Sequence, residues 1–120
     1  MAQRDITVLK DVVLITCVVQ RGAADPIISA AREAGAQGAT VNYGKGMGIR
    51  ERLGVLGVAV EVEKEVIQIL VSSEQVDRVF EKMYLAGKLD TPGMGIAYIT
   101  RLDKAATYIP PEVLAKVSVE

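Results

Sequence analysis

Histidine and tryptophan are absent from this chain, and cysteine occurs once, as Cys17. Without histidine there is no Ser–His or Cys–His nucleophile pair and no supply of the commonest zinc ligand. A lone cysteine excludes an intrachain disulfide and fits a reducing compartment, so a cytoplasmic location is expected. Cys17 lies in an apolar, β-branched run and is expected to be a small core residue. Aromatics are scarce, at 4%, so valine, isoleucine, leucine and alanine must do the packing. No sign of charge dominates: 14 lysines and arginines face 15 acidic residues. Such a chain has no long-range field to gather nucleic acid or an anionic membrane, and any anion site must be local. No apolar run approaches the ~20 residues of a membrane helix. No signal-peptide pattern is visible, and no direct membrane insertion is expected.

What is present is enough for one compact domain over 1–120, with 1–10 as an N-terminal arm or short leading strand and 109–120 as a C-terminal tail. Val12–Val19 is nearly continuous and β-branched, the pattern of a strand covered on at least one face. Asp25-Pro26 reads as a helix start, with Asp25 as cap and Pro26 at the first helical position. Ile27, Ile28, Ala30, Ala31 and Ala34 form its apolar face, and Gly35 is placed to end it. Ala39–Tyr43 should be the second strand. From Gly57 to Val71 the sequence reads as one long strand, bent near Glu63-Lys64. Ser72 and Gln75 have capping-box spacing before a second helix with Val76, Val79, Phe80 and Met83 on one face. Gly87 ends that helix, and Ile96–Leu102 is the fourth strand. Asp103–Tyr108 either extends it or turns. In the tail, alternating Val117 and Val119 would suit an edge strand added to a neighbour.

Between these elements lies the stretch Tyr43–Arg52, with glycine at 44, 46 and 48. Glycines at alternate positions strip a length of backbone bare and permit positive φ and close approach. Lys45, Arg50 and Arg52 set cationic heads around the same glycines, an arrangement suited to an anion such as phosphate. Glycines that merely mark a sharp turn are the competing reading. Gly46-Met47-Gly48-Ile49 recurs as Gly93-Met94-Gly95-Ile96, each copy downstream of a helix ending in Ala-Gly. Strand, helix and strand therefore occur twice in one order. Two βαβ units forming one antiparallel sheet with both helices on one face give an α+β, ferredoxin-like βαββαβ sandwich. Valine on both faces of several strands implies that the open sheet face is covered by another subunit, so a closed oligomer is expected.

Val12–Thr100 resembles the PII signalling family, small trimeric ferredoxin-like proteins that bind adenine nucleotides in clefts between subunits. The residues that carry the resemblance are Lys45-Gly46-Met47-Gly48 at the base of a long loop, Lys64 early in the next strand and Ala86-Gly87-Lys88-Leu89 opening a second loop. It is closer still to divergent, short-loop members with a Pro-Gly-x-Gly-Ile-Ala element, here Pro92–Ala97. The resemblance implies a homotrimer whose effector is ATP, ADP or AMP, with Mg²⁺ a candidate companion. It implies nucleotide contacts from Lys45, Gly46, Gly48, Ile49, Arg50, Lys64, Gly87, Lys88, Gly93, Met94, Gly95 and Arg101. It also implies a partner-binding loop containing Arg52, Leu53, Val55 and Leu56, directed at a regulated transporter or enzyme, as in nitrogen regulation. Three departures stand out. No tyrosine lies between Gly48 and Lys64, so uridylylation of the loop is not expected. The phosphate-facing lysine of the second loop is replaced by Met94 or Gly95. The paired arginines late in the last strand are absent, leaving Arg50, Arg52, Arg101 or Lys104 to compensate.

Three functions follow. The first is a regulatory nucleotide-binding protein without enzymatic activity. The second is a nucleotide-independent trimeric interaction module whose glycines are structural. The third is a slow nucleotide hydrolase using Asp90 and Glu51 for Mg²⁺, for which the chain offers no P-loop signature and no activated nucleophile.

Overall fold

The structure, a computed structural model, describes residues 6–46 and 62–108. Strand β1 (Val8–Leu9) leads into β2 (Val12–Gln20), followed by α1 (Ala24–Glu33), β3 (Thr40–Gly46), β4 (Val62–Ser72), α2 (Val76–Ala86), β5 (Gly95–Arg101) and β6 (Ala105–Ala106). The four long strands form one antiparallel sheet in the order β3-β4-β2-β5. This is the expected βαββαβ sandwich. β1 pairs with β6 in a separate two-stranded ribbon, so the arm contains a strand and the segment after β5 turns away rather than extending it.

Alternation decides which side of the sheet is core. In β2, Val13, Ile15, Cys17 and Val19 are buried, and in β4 so are Ile67, Ile69 and Val71. Both helices cover this face, through Ala24, Ile27 and Ala31 of α1 and Val76, Val79 and Met83 of α2. Alanine and valine keep the layers thin, and burial of about 1.5–3 kcal/mol per large aliphatic side chain holds them together. Cys17 is fully buried, as expected, and burial raises its thiol from 9.0 to about 11. The other face carries Leu14, Val18, Val66, Leu70, Ile96 and Tyr98, and among the described residues no layer lies over it. Leu70, Ile96 and Tyr98 are 53%, 59% and 47% exposed.

The helix ends differ from the sequence expectation. Helix α1 begins at Ala24 with Ala23 in the capping position, and no side chain caps it locally; Asp25 and Pro26 fall inside the first turn. The missing cap comes from a distant strand. Gly22 N–H and Ala24 N–H donate to Glu65 Oε1 at 2.8 and 3.1 Å. Gly35, at φ +114°, ends the helix as expected, and Arg78 of α2 donates to the Ala34 carbonyl at 2.5 Å. The Ser72–Gln75 capping box does not form. Ser72 is the last residue of β4, and Gln75 occupies the cap of α2 with no side-chain bond. The extended strand holds Ser72 one turn too early to reach the helix amides. Gly87 does close α2, but at φ −82°; the left-handed residue is Lys88, at φ 54°.

Candidate functional site

The glycine-rich stretch is not wholly a loop. Gly44, Lys45 and Gly46 continue β3 and pair with Lys64, Glu63 and Val62. β4 passes through Glu63-Lys64 without a break in register. Gly48, Ile49, Arg50, Arg52, Leu53, Val55 and Leu56 lie outside the described residues, as do Glu51 and the Val117–Val119 segment.

The register brings several expected residues to one end of the sheet. Tyr43, Glu65, Val19 and Gly95 form a row across all four strands. The next row is Gly44, Lys64 and Gln20. Period-two alternation turns these rows to opposite faces: Glu65 joins the core face with Ile67, whereas Lys64 and Gln20 join the open one. Lys64 is half-buried there. Gln20 continues the row toward β5, its side-chain amide donating to the Gly93 carbonyl at 2.7 Å. Gly44 and Gly95 sit on the two edge strands, three strand spacings or about 14 Å apart. Arg101 lies elsewhere. It pairs with Val13, six residues along β5 from Gly95 and therefore about 20 Å away at the other end of the sheet.

The bend between α2 and β5 is a chain of turns. Lys88 N–H donates to Leu85 O, Thr91 N–H to Lys88 O and Met94 N–H to Thr91 O at 3.1, 2.9 and 3.2 Å. Gly93 and Gly95 have φ of 84° and 140°. A Cβ on Gly95 would stand 2.3 Å from the Val18 carbonyl oxygen, so this glycine is bare because β5 must pair with β2. Gly87 is buried, and a Cβ there would meet Ile27 Cδ1 at 2.9 Å. Its bareness serves the packing of the two helices. Among the described residues nothing lies within 4 Å of the Cβ position of Gly44.

On the helix side of the same end is a cleft of about 530 Å³ lined by Arg21, Gly22, Tyr43, Gly44, Glu63 and Glu65. Tyr43 at the sheet edge is 72% exposed, since neither helix reaches this corner. Arg21 and Glu63 form an ion pair at 2.8 Å with both side chains more than half exposed, an arrangement that contributes little to stability. Glu65 is 8% exposed, and its Oε1 accepts from the turn amide of Gly22 and the first amide of α1, Ala24.

Gln20 and Glu65 were not among the residues singled out by sequence. For Glu65 the signal exists: positions 65, 67, 69 and 71 alternate, which places an acid on the buried face. Nothing local signals that Gln20 reaches Gly93, 73 residues away. Among the described residues no helix is long and apolar enough to cross a membrane.

Comparison with known proteins adds the family. The family model for the nitrogen regulatory protein P-II matches residues 12–109. No curated protein matches the chain by sequence. Among solved structures, PII of Arabidopsis thaliana bound to citrate superposes with a TM-score of 0.63 at 19% identity, covering 78% of this chain and 79% of that one. At that identity the likeness concerns the fold.

Proposed function

The chain belongs to the nitrogen regulatory protein P-II family, a family of regulatory signalling proteins, and from that premise we propose that it senses an adenine nucleotide between the subunits of a homotrimer. One observation carries this reading. The two glycine-bearing stretches, Gly44–Gly46 at the end of β3 and Gly93–Gly95 at the start of β5, lie at the same end of the sheet but on its opposite edges. Within one protomer they stand apart. In a ring, a head-to-tail interface sets the β3 edge of one subunit beside the β5 edge of the next. Lys64 supplies a cation between them, and the open apolar face with Leu70, Ile96 and Tyr98 supplies the surface for assembly.

ATP, ADP or AMP would lie in this crevice, with backbone approach at Gly44, Gly46 and Gly93 and a charge-assisted contact from Lys64. Lys45, Arg50 and Lys88 are the further cations assigned to phosphate. Occupancy biases the segment between Gly46 and Val62, whose Arg52, Leu53, Val55 and Leu56 engage a regulated transporter or enzyme in one state only. The shift obtained equals the difference in nucleotide affinity for the two states. An organic carboxylate like the citrate held by the Arabidopsis protein is a second anion for the Lys64 end.

A nucleotide-independent trimeric module is favoured by one specific fact: Gly87 and Gly95 are each bare for reasons internal to the chain. A calorimetric titration with ATP, ADP and AMP separates the two. Binding that weakens by about 1.5–3 kcal/mol in Lys64→Ala is expected of a charged hydrogen bond. Absence of heat and of thermal stabilisation at millimolar nucleotide leaves the passive module.

A further inference from the structure

Glu65 is a buried carboxylate that the proposed site does not use directly. Its neighbour Lys64 faces the open side of the sheet, whereas Glu65 faces the helices. A carboxyl group at 8% exposure needs hydrogen-bond partners. Here these are the N–H of Gly22 and the first helical N–H of α1, both on Oε1, and the positive end of the helix dipole adds to them. The two bonds join strand β4 to the β2–α1 turn across 41 and 43 residues of sequence. That turn follows directly from Gln20, which pairs with Lys64 on the other face.

We infer that Glu65 is a positioning residue for the anion site: by tying β4 to the turn after β2, it holds Lys64 and Gln20 abreast at the end of the sheet. The inference rests on the nucleotide-sensor reading. Without the tie, this end of β4 keeps its ladder bonds, but the β2–α1 turn loses the carboxylate that satisfies its amides. The Gln20 backbone, the last position of β2 in that ladder, is then held by the ladder alone, and its side chain, with the Gly93 carbonyl that it grips at 2.7 Å, shifts relative to Lys64. Displacements of this kind, though small, cost affinity because charge-assisted contacts are steep in distance.

The test compares Glu65→Ala, Glu65→Gln and Val13→Ala. Gln keeps an oxygen that accepts both amides; Val13 lies buried at the far end of β2 and controls for lost stability. In calorimetric titrations with ATP, Glu65→Ala is expected to bind about tenfold or more weakly. Glu65→Gln should bind within about threefold of the parent, and Val13→Ala should bind like the parent. Should Glu65→Ala not fold, Glu65→Asp replaces it, since its shorter side chain does not span to both amides. Parent-like binding by the Ala or Asp variant, or an equal loss in Val13→Ala, overturns the inference. A second readout does not need a nucleotide: the ¹⁵N resonance of the Lys64 ammonium and the Gln20 amide signals. These should shift in Glu65→Ala, recover in Glu65→Gln and stay fixed in Val13→Ala, and unmoved signals in Glu65→Ala overturn the inference even where the parent binds no nucleotide.

Discussion

Replacing Gly95 with alanine should damage the protein through its own backbone rather than through a ligand. The residue has φ +140°, a conformation that L side chains rarely adopt, and it pairs with Val19 at the start of β5. A new Cβ would lie 2.3 Å from Val18 O, 3.0 Å from Val19 Cγ1 and 3.1 Å from Val19 Cα. Two of these three atoms are backbone and have no rotamer to escape into. Positive-φ strain costs about 1–3 kcal/mol, and forcing strands apart adds about 1–3 kcal/mol. The sum is up to roughly 6 kcal/mol against a total stability of about 5–15 kcal/mol. β5 is an edge strand, so the chain has a cheaper response: β5 detaches locally from β2. Urea unfolding at fixed protomer concentration, followed by circular dichroism, measures the first outcome. Hydrogen exchange of the Ile96–Arg101 amides measures the second. Either a loss of at least 2 kcal/mol, as estimated above, or loss of protection along β5 is expected, with and without nucleotide. A Gly95→Ala protein within about 0.5 kcal/mol of the parent, with β5 still protected, would refute the close-approach argument.

Gly44 is the counter-case, with open space at its Cβ position. Gly44→Ala should leave stability unchanged or raise it by about 0.4–1 kcal/mol, while weakening nucleotide binding; a loss of stability in urea melts would contradict the open geometry. Gly87→Ala should cost about 1–3 kcal/mol by pressing on buried Ile27. Adding Ile27→Val, which deletes the contacting Cδ1, should recover part of that cost, and strictly additive losses in a double-mutant cycle would argue against the contact. The Cys17 thiol, raised from 9.0 to about 11 by burial, should resist disulfide reagents at pH 8 in the native state; fast labelling without unfolding would contradict its burial. The unfolded chain releases this proton first, so the contribution of Cys17 is whole below pH 9 and disappears as pH rises from 9 to 11. Cys17→Ala should flatten that part of the stability profile.

Much of the fold was legible locally. The β-branched run of β2 marked a covered strand, and helical spacing put Val76, Val79 and Met83 of α2 on the core side; which face of β2 is core stayed open, because valine and isoleucine occupy both. Gly35 and Gly87 marked the helix ends. The capping signals misled for a different reason in each helix, both set by tertiary context rather than by the local residues. At Ser72 the strand still holds the backbone extended. At α1 a carboxylate from β4 already occupies the amides. For the site, Arg101 was grouped with the glycine-rich stretches as a cation compensating for the absent paired arginines; within the protomer, strand length carries it about 20 Å from Gly95.

Composition and periodicity alone settled that histidine-based catalysis is excluded, which helix faces pack inward and the succession of strands and helices, since each depends on composition or on residues a few positions apart. They did not settle what each glycine is for. Gly95 yields to a carbonyl of β2, Gly87 to an isoleucine of α1, and Gly44 to nothing among the described residues. Nor did they place the two glycine-bearing stretches on opposite edges of one sheet, or bring Glu65 to the start of α1. Those outcomes turn on which strands pair and in what register, and the free energy that selects a pairing is spread over the whole assembled core.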